Sequence, residues 1–273
     1  MTSKPRGEPG AVLRPDAAGR HIDVSRHHPR DALRPFVDYL WVVRWQVETP
    51  YTQHVLTQPK VHMCAEEGRV LVYGVSRRLF RRTLTGSDHA VGVAFRAGGF
   101  RPFLRTAERV GSLANKVQPV EALWQVDDRV VAQRTLEAPD EAAMVSSMED
   151  LLEARQPQVD PVAEQVAELV DSIERLPWLR RVDELAAESG IGVRALQRLF
   201  REYVGAPPKW VIQRRRLLDA AERVHAGQEV GWADLASELG YSDQAHLVRD
   251  FTAAVGTPPA TYAKSVDAAS GRR

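Results

Sequence analysis

Leu185-Ala186-Ala187-Glu188-Ser189-Gly190 returns fifty residues later as Leu235-Ala236-Ser237-Glu238-Leu239-Gly240. After one inserted residue the match resumes: Leu196, Arg198, Phe200, Val204, Gly205, Pro207 and Pro208 recur as Leu247, Arg249, Phe251, Val255, Gly256, Pro258 and Pro259. So many coincidences in order mark a duplicated supersecondary unit. Each copy reads as a short helix, a tight turn at glycine and a second amphipathic helix. That second helix ends at Gly205 or Gly256, and a pair of prolines then forbids continuation. Ala186 and Ala236 are small where two helices must cross closely. Leu196, Leu199, Phe200 and Tyr203 fall on one stripe of the second helix, as Leu247, Val248 and Phe251 do in the other copy. This is the layout of a helix-turn-helix, whose second helix enters the major groove of DNA.

The face opposite each stripe carries side chains suited to reading bases. The first copy offers Arg194, Gln197 and Arg198, and the second Gln244, His246 and Arg249, with Asp243 placed to cap the helix N-terminus. Arginine can bond bidentately to guanine and glutamine to adenine. Arg201, Lys209, Arg214 and Arg215 are the expected phosphate contacts. A single helix-turn-helix also occurs in packed cores and enzymes; two tandem copies with such side chains on both free faces favour DNA. Between them, Pro208 to Ala226 has no helix breaker and sets Trp210, Leu217, Ala221 and Val224 on one side. That predicts a linker helix of about 19 residues, roughly 28 Å long. The distance is close to the ~34 Å between successive major-groove faces.

Upstream, the texture changes twice. Residues 1–20 recur in Pro and Gly without helical or strand spacing and read as a disordered tail. From 21 to 119, short β-branched and aromatic runs predict about five strands in a small antiparallel sheet or barrel. The clearest are Val37 to Trp45, Arg69 to Tyr73, Arg78 to Leu84 before the turn signal Thr85-Gly86-Ser87-Asp88, and Val91 to Phe95. Residues 120–174 switch to helical spacing over Val120 to Leu136, Glu141 to Arg155 and Val162 to Arg175. The fold expected is therefore α+β: a β-rich amino-terminal domain, a helical connector and an all-α double helix-turn-helix over 175–267.

A formal net charge of +1 conceals strong segregation. Residues 1–119 hold 19 basic and 10 acidic groups, residues 120–174 hold 3 and 14, and residues 175–273 hold 15 and 12. The acidic connector would keep the bridge between the domains off a polyanion, while Arg194 to Arg223 is basic. The lone Cys64 rules out an internal disulfide or a Cys-rich zinc ribbon and fits a reducing cytosol. No run resembles a signal peptide or a spanning helix, so no membrane partner is expected. His54, His62 and Glu66 could ligate a metal, but strands place side chains two apart on a face and no His-x-His pair occurs. No metal or cofactor is therefore expected. Phosphate loops, nucleophile elbows and metalloprotease motifs are absent from the sequence, which argues against an enzyme. Trp41, Trp45 and Tyr73 would suit either a ring-lined ligand pocket or a core.

Residues 175 to 265 resemble the DNA-binding domain of the AraC/XylS family of bacterial transcription regulators. The likeness rests on Leu196-Gln197-Arg198-Leu199-Phe200, Gly205 with Pro208, Arg216-Leu217 before Ala220, and Gly240-Tyr241-Ser242-Asp243-Gln244 through Phe251 to Gly256-Thr257-Pro258 and Tyr262. Val248 and Ala263 depart from the aromatic and arginine common in the family. The resemblance implies seven helices in two units joined by a linker helix, with base contacts at Arg194, Gln197, Arg198, Gln244, His246 and Arg249. Residues around Tyr39-Leu40-Trp41, Tyr73-Gly74 and Gly92 to Gly99 are similar to an uncharacterised first domain of actinobacterial members. From the family it implies a one-component regulator whose first domain binds a small-molecule effector or dimerises, with RNA polymerase as a further partner. The rival is an enzyme or metal-binding barrel fused to a DNA-binding module.

Overall fold

The structure, a computed structural model, describes residues 12–13, 22–105, 107–226 and 231–270. Its amino-terminal half is one antiparallel sheet. The strands are β1 (Val12–Leu13), β2 (Ile22–His27), β3 (Val37–Val55), β4 (His62–Glu66), β5 (Arg69–Tyr73), β6 (Phe80–Phe95) and β7 (Val117–Pro119). They lie in the order β1-β3-β6-β4-β5-β7, with β2 also paired to β3. β3 and β6 are the spine, and their alternation sorts the side chains onto two faces. Leu40, Val42, Met63, Ala65, Val70, Val72, Val91, Val93 and Phe95 point into the main core. Trp41, Val43, Trp45, Cys64 and Ala90 cluster on the other face.

The sheet differs from expectation at two places. Thr85-Gly86-Ser87-Asp88 does not reverse the chain: β6 runs straight through it. The irregularity is taken up opposite, where the pairing slips between Val47–Gly86 and Tyr51–Leu84, a bulge that bends β3 instead of ending it. Val12 and Leu13, inside the stretch read as a disordered tail, pair with Val55 and His54. The rest of that stretch lies outside the described residues.

Four helices follow: α1 (Glu121–Trp124), α2 (Asp128–Leu136), α3 (Glu141–Glu153) and α4 (Pro161–Arg175). The helix expected over 120–136 is two, because Gln125 adopts a left-handed φ of 56° and Asp127 caps α2 by accepting from the N–H groups of Arg129 and Val130. α2 and α3 cover the core face of the sheet, burying Ala132, Met144, Met148 and Leu152. The acidic charge of this segment has a structural use. Arg30 pairs with Glu149 at 3.0 Å, Asp150 at 2.8 Å and Glu153 at 2.9 Å. Arg44 reaches Glu141 at 3.3 Å, and Arg69 forks onto the fully buried Asp128 at 2.6 and 3.1 Å. Basic sheet and acidic helices thus neutralise each other across their interface.

The carboxy-terminal elements are α5 (Val182–Ser189), α6 (Val193–Leu199) continued by a π-turn (Phe200–Val204), α7 (Pro208–His225), α8 (Trp232–Glu238), α9 (Gln244–Val255) and α10 (Pro259–Ser270). The main core continues from the sheet through α4 into the first unit, taking in Leu185, Leu196, Phe200, Val204, Val211 and Ile212. A second core holds Leu217, Leu218, Ala221, Val224, Leu235, Leu247, Phe251 and Tyr262. It also holds Leu56, fully buried, from the residue that follows β3.

Candidate nucleic-acid interface

The duplicated sequence builds duplicated geometry. Gly190 and Gly240 turn the chain between the two helices of each unit at φ 69° and 72°, and Gly205 and Gly256 end the second helices at φ 87° and 86°. These are left-handed positions that glycine reaches without a Cβ penalty. Of the expected stripes, Leu196 and Phe200 in α6 and its π-turn and Leu247 and Phe251 in α9 are at 0% exposure, while Leu199, Tyr203 and Val248 are only partly buried. The opposite faces are open. Arg194, Gln197 and Arg198 are exposed on α6 with no side-chain partner among the described residues. Gln244 and Arg249 are exposed on α9.

α9 is held in place at its start. Asp243 Oδ1 accepts the His246 N–H at 2.7 Å, which, with Ser242 and the charges of Arg249 and His246, holds its carboxyl below the usual range. His246 is half-exposed; Ser242 Oγ lies 3.2 Å from its Nδ1, its Nε2 is 3.7 Å from Asp250, and its ring stands edge-on to Tyr241. The two units differ at the far end. α6 closes with a π-turn in which the Gly205 N–H bonds Phe200 O at 2.8 Å, while α9 closes with an ordinary bond from Gly256 N–H to Thr252 O.

Of the four expected phosphate contacts, Arg201 and Lys209 are exposed. Arg214, contrary to that expectation, is buried: it is 2% exposed, stacked over the Trp210 ring at 4.7 Å, and its Nη2 donates to Arg77 O at 3.2 Å. Burial pushes its pKa down to about 10. The helical period places it on the side of α7 that faces the amino-terminal domain. Arg215 is partly engaged, donating to Glu174 O at 3.2 Å and pairing with Asp219, whose carboxyl is pushed up to about 6 by burial against the opposing charge of Arg215.

The rings named as ligand candidates do share the sheet face away from the helices. There they pack. Trp45 is 8% exposed among Val47, Cys64, Leu84 and Ala90, and its indole N–H donates to Thr85 O at 3.3 Å. Trp41 lies flat on Gly92, where a methyl group would sit 2.1 Å from the ring. The Tyr73 hydroxyl donates to Glu66, itself paired with Arg82 at 3.0 Å, and burial drives the phenol pKa up. Cys64 is a buried core thiol, raised well above its ordinary pKa first by burial and then by Glu66. The depression lined by Ile22, Asp23, Arg44, Trp45, Glu48, Asp88 and His89 is open and mixed in polarity. Among the described residues no group of three or more His, Cys, Asp or Glu is disposed to hold a metal.

Contacts between the halves are not legible in the sequence. Val110, in the 3-10 turn Val110–Leu113, sits against Gly205: a methyl group there would come 3.2 Å from Val110 Cγ1. A methyl group at Gly256 would lie 3.5 Å from Arg81 Nη2 and 3.9 Å from Leu79 Cδ2. The amino-terminal domain therefore touches both units at the same repeat position. The basic run Arg77-Arg78-Leu79-Phe80-Arg81-Arg82, which reads only as strand, is the one signal that could have pointed there.

Residues 185–265 match the model of a helix-turn-helix domain, and residues 25–119 that of a domain of unknown function (DUF6597). The chain is 32% identical over 82 residues to the probable transcription factor PqrA of Proteus vulgaris, covering 30% of this chain and 66% of that protein. It is 32% identical over 81 residues to the HTH-type transcriptional activator AarP of Providencia stuartii, covering 30% and 59%. The match thus spans less than two thirds of either relative. Among solved structures, ToxT from Vibrio cholerae superposes at a TM-score of 0.40 and 11% identity over 89% of this chain and 98% of that one. ToxT bound to (E)-4-(8-methylnaphthalen-1-yl)but-3-enoic acid gives 0.42 and 10% over 90% and 99%.

Proposed function

Because its carboxy-terminal domain belongs to the AraC-type helix-turn-helix family, we propose that this protein is a sequence-specific DNA-binding transcription regulator reading two successive major-groove segments. The supporting observation is the paired geometry of α6 and α9. Each buries one stripe and exposes arginine and glutamine on the opposite face, and the 18-residue helix α7 separates them. At 1.5 Å per residue that helix spans about 27 Å, compatible with both faces meeting one side of a duplex. Arg194, Gln197 and Arg198 read one segment and Gln244, His246 and Arg249 the next, while Arg201, Lys209 and Arg215 meet phosphates. No catalytic step is assigned to the chain. It works in the cytoplasm, and no helix among the described residues is long and apolar enough to cross a membrane.

Site selection from random duplex tests the reading. Arg198→Ala is expected to relax preference at one base position and to weaken the preferred site by about 1–3 kcal/mol. Arg215→Ala is expected to weaken all sequences alike. Unchanged base preference in Arg198→Ala together with altered preference in Arg215→Ala would overturn the assignment of reading helix.

Control lies in the amino-terminal domain. The packed rings at Trp41, Trp45 and Tyr73 favour a surface over an enclosed pocket, since Val24 and Val117, neighbours on that same sheet face, are 50% and 54% exposed. A second copy of the chain or RNA polymerase would dock there, and a small-molecule effector would have to open the ring cluster to enter.

A further inference from the structure

The positive excess of the amino-terminal domain is not spread evenly. Between residues 22 and 119, Arg30, Arg44 and Arg69 pair with the acidic helices, Lys60 with Asp38, Arg82 with Glu66 and Glu67, and Arg101 with Glu202. Arg34 is matched to Asp31, Arg96 donates to Pro35 O, and Arg26 stacks on Tyr39. Six cations remain exposed with no side-chain partner among the described residues: Arg77, Arg78, Arg81, Arg105, Arg109 and Lys116. They sit in the two segments of the amino-terminal domain, 77–81 and 105–116, through which it meets the helix-turn-helix units.

Arg77 and Arg78 sit on the loop whose carbonyl receives Arg214 from α7, and Arg81 is beside Gly256 at the end of α9. Arg105, Arg109 and Lys116 flank the 3-10 turn that rests on Gly205 and on the backbone of Arg201 at the end of α6. Unpaired like charges cost self-repulsion, and a run of phosphates is the partner that removes it.

We propose that these six side chains form a phosphate-binding rim, so that the amino-terminal domain itself grips the DNA backbone beside each reading helix. The rim rests on the reading of α6 and α9 as base-reading helices and extends the footprint beyond them. Because the rim makes no base contact, it supplies affinity and orientation without sequence preference. It also makes grip depend on how the two halves are seated.

Two variants of the full chain test it, Arg77→Ala/Arg78→Ala/Arg81→Ala and Arg105→Ala/Arg109→Ala/Lys116→Ala. Affinity for the duplex selected by the parent is measured against salt, with charge-preserving lysine or arginine exchanges as controls. Removing one cation from a phosphate should lower the salt slope by about one, so a triple should lower it by about two or three and weaken binding tenfold or more near 0.15 M salt. Base preference and melting temperature should stay as in the parent, since these side chains hold nothing in the fold. A lowered slope in either triple supports the rim; unchanged slopes in both, on a parent that binds selectively, overturn it alone. A parent with no selective DNA binding overturns the reading of α6 and α9 and the rim with it.

Discussion

Arg214 and Asp128 are both buried charges, yet they are expected to behave oppositely when replaced. Asp128 accepts two hydrogen bonds from Arg69 and one from the Val70 N–H at 3.3 Å. Burial alone would raise its pKa; Arg69 outweighs that, and the carboxyl is held below its usual value. A depressed folded pKa stabilises the fold above the unfolded value near 3.9, and the contribution disappears as pH falls through the lower folded value. Asp128→Asn should therefore be less stable at pH 7 and show a shallower loss of stability between about pH 4 and 2, read by denaturant titration at stepped pH. A parallel acid limb in parent and variant would exclude this role. Arg214 makes one hydrogen bond, and its Nε and Nη1 have none. Arg214→Met, similar in volume, should be neutral or stabilising by up to about 3 kcal/mol, with the DNA salt slope unchanged. A lowered slope would restore the phosphate role that its burial denies it.

At the scale of elements, the two glycine pairs separate backbone strain from crowding. A methyl group at Gly190 meets nothing within 4 Å, so Gly190→Ala should cost only the left-handed conformation, about 1 kcal/mol. At Gly205 the same methyl meets Val110 at 3.2 Å as well, so Gly205→Ala should cost more, by thermal melting. Equal losses would mean that the seam at Val110 is soft. The two units are legible in the sequence because helical stripes and cap residues are local signals: Asp243 reads as a cap from its position alone, and it caps. The sheet is legible in part. Alternation in Val37 to Trp45 and Val91 to Phe95 is local, but the length of β3 and β6 depends on their pairing, which makes a turn-like Thr85-Gly86-Ser87-Asp88 into mid-strand. Arg214 escapes a sequence reading for a related reason. Which side of α7 faces solvent is decided by a partner far away in sequence, the carbonyl of Arg77.

Across the whole molecule the two cores are unequal. The main one links the sheet, α3, α4 and the first unit; the second is smaller and depends on the distal part of α7 with a single fully buried contribution, Leu56, from the sheet side. Hydrogen exchange should show α8, α9 and α10 opening at lower free energy than α6 and β6. Leu56→Ala should lower protection in those three helices by about 2–4 kcal/mol and leave β6 unaffected. Uniform loss along the chain would show instead that the two cores open as one. Leu56 also carries a consequence for synthesis. It leaves the ribosome long before α8 exists, and a contact so distant along the chain is slow to form because loop closure must be met first. The second reading unit is thus finished after the first, and a chain cut short between them would present a bare leucine where a helical core should close over it.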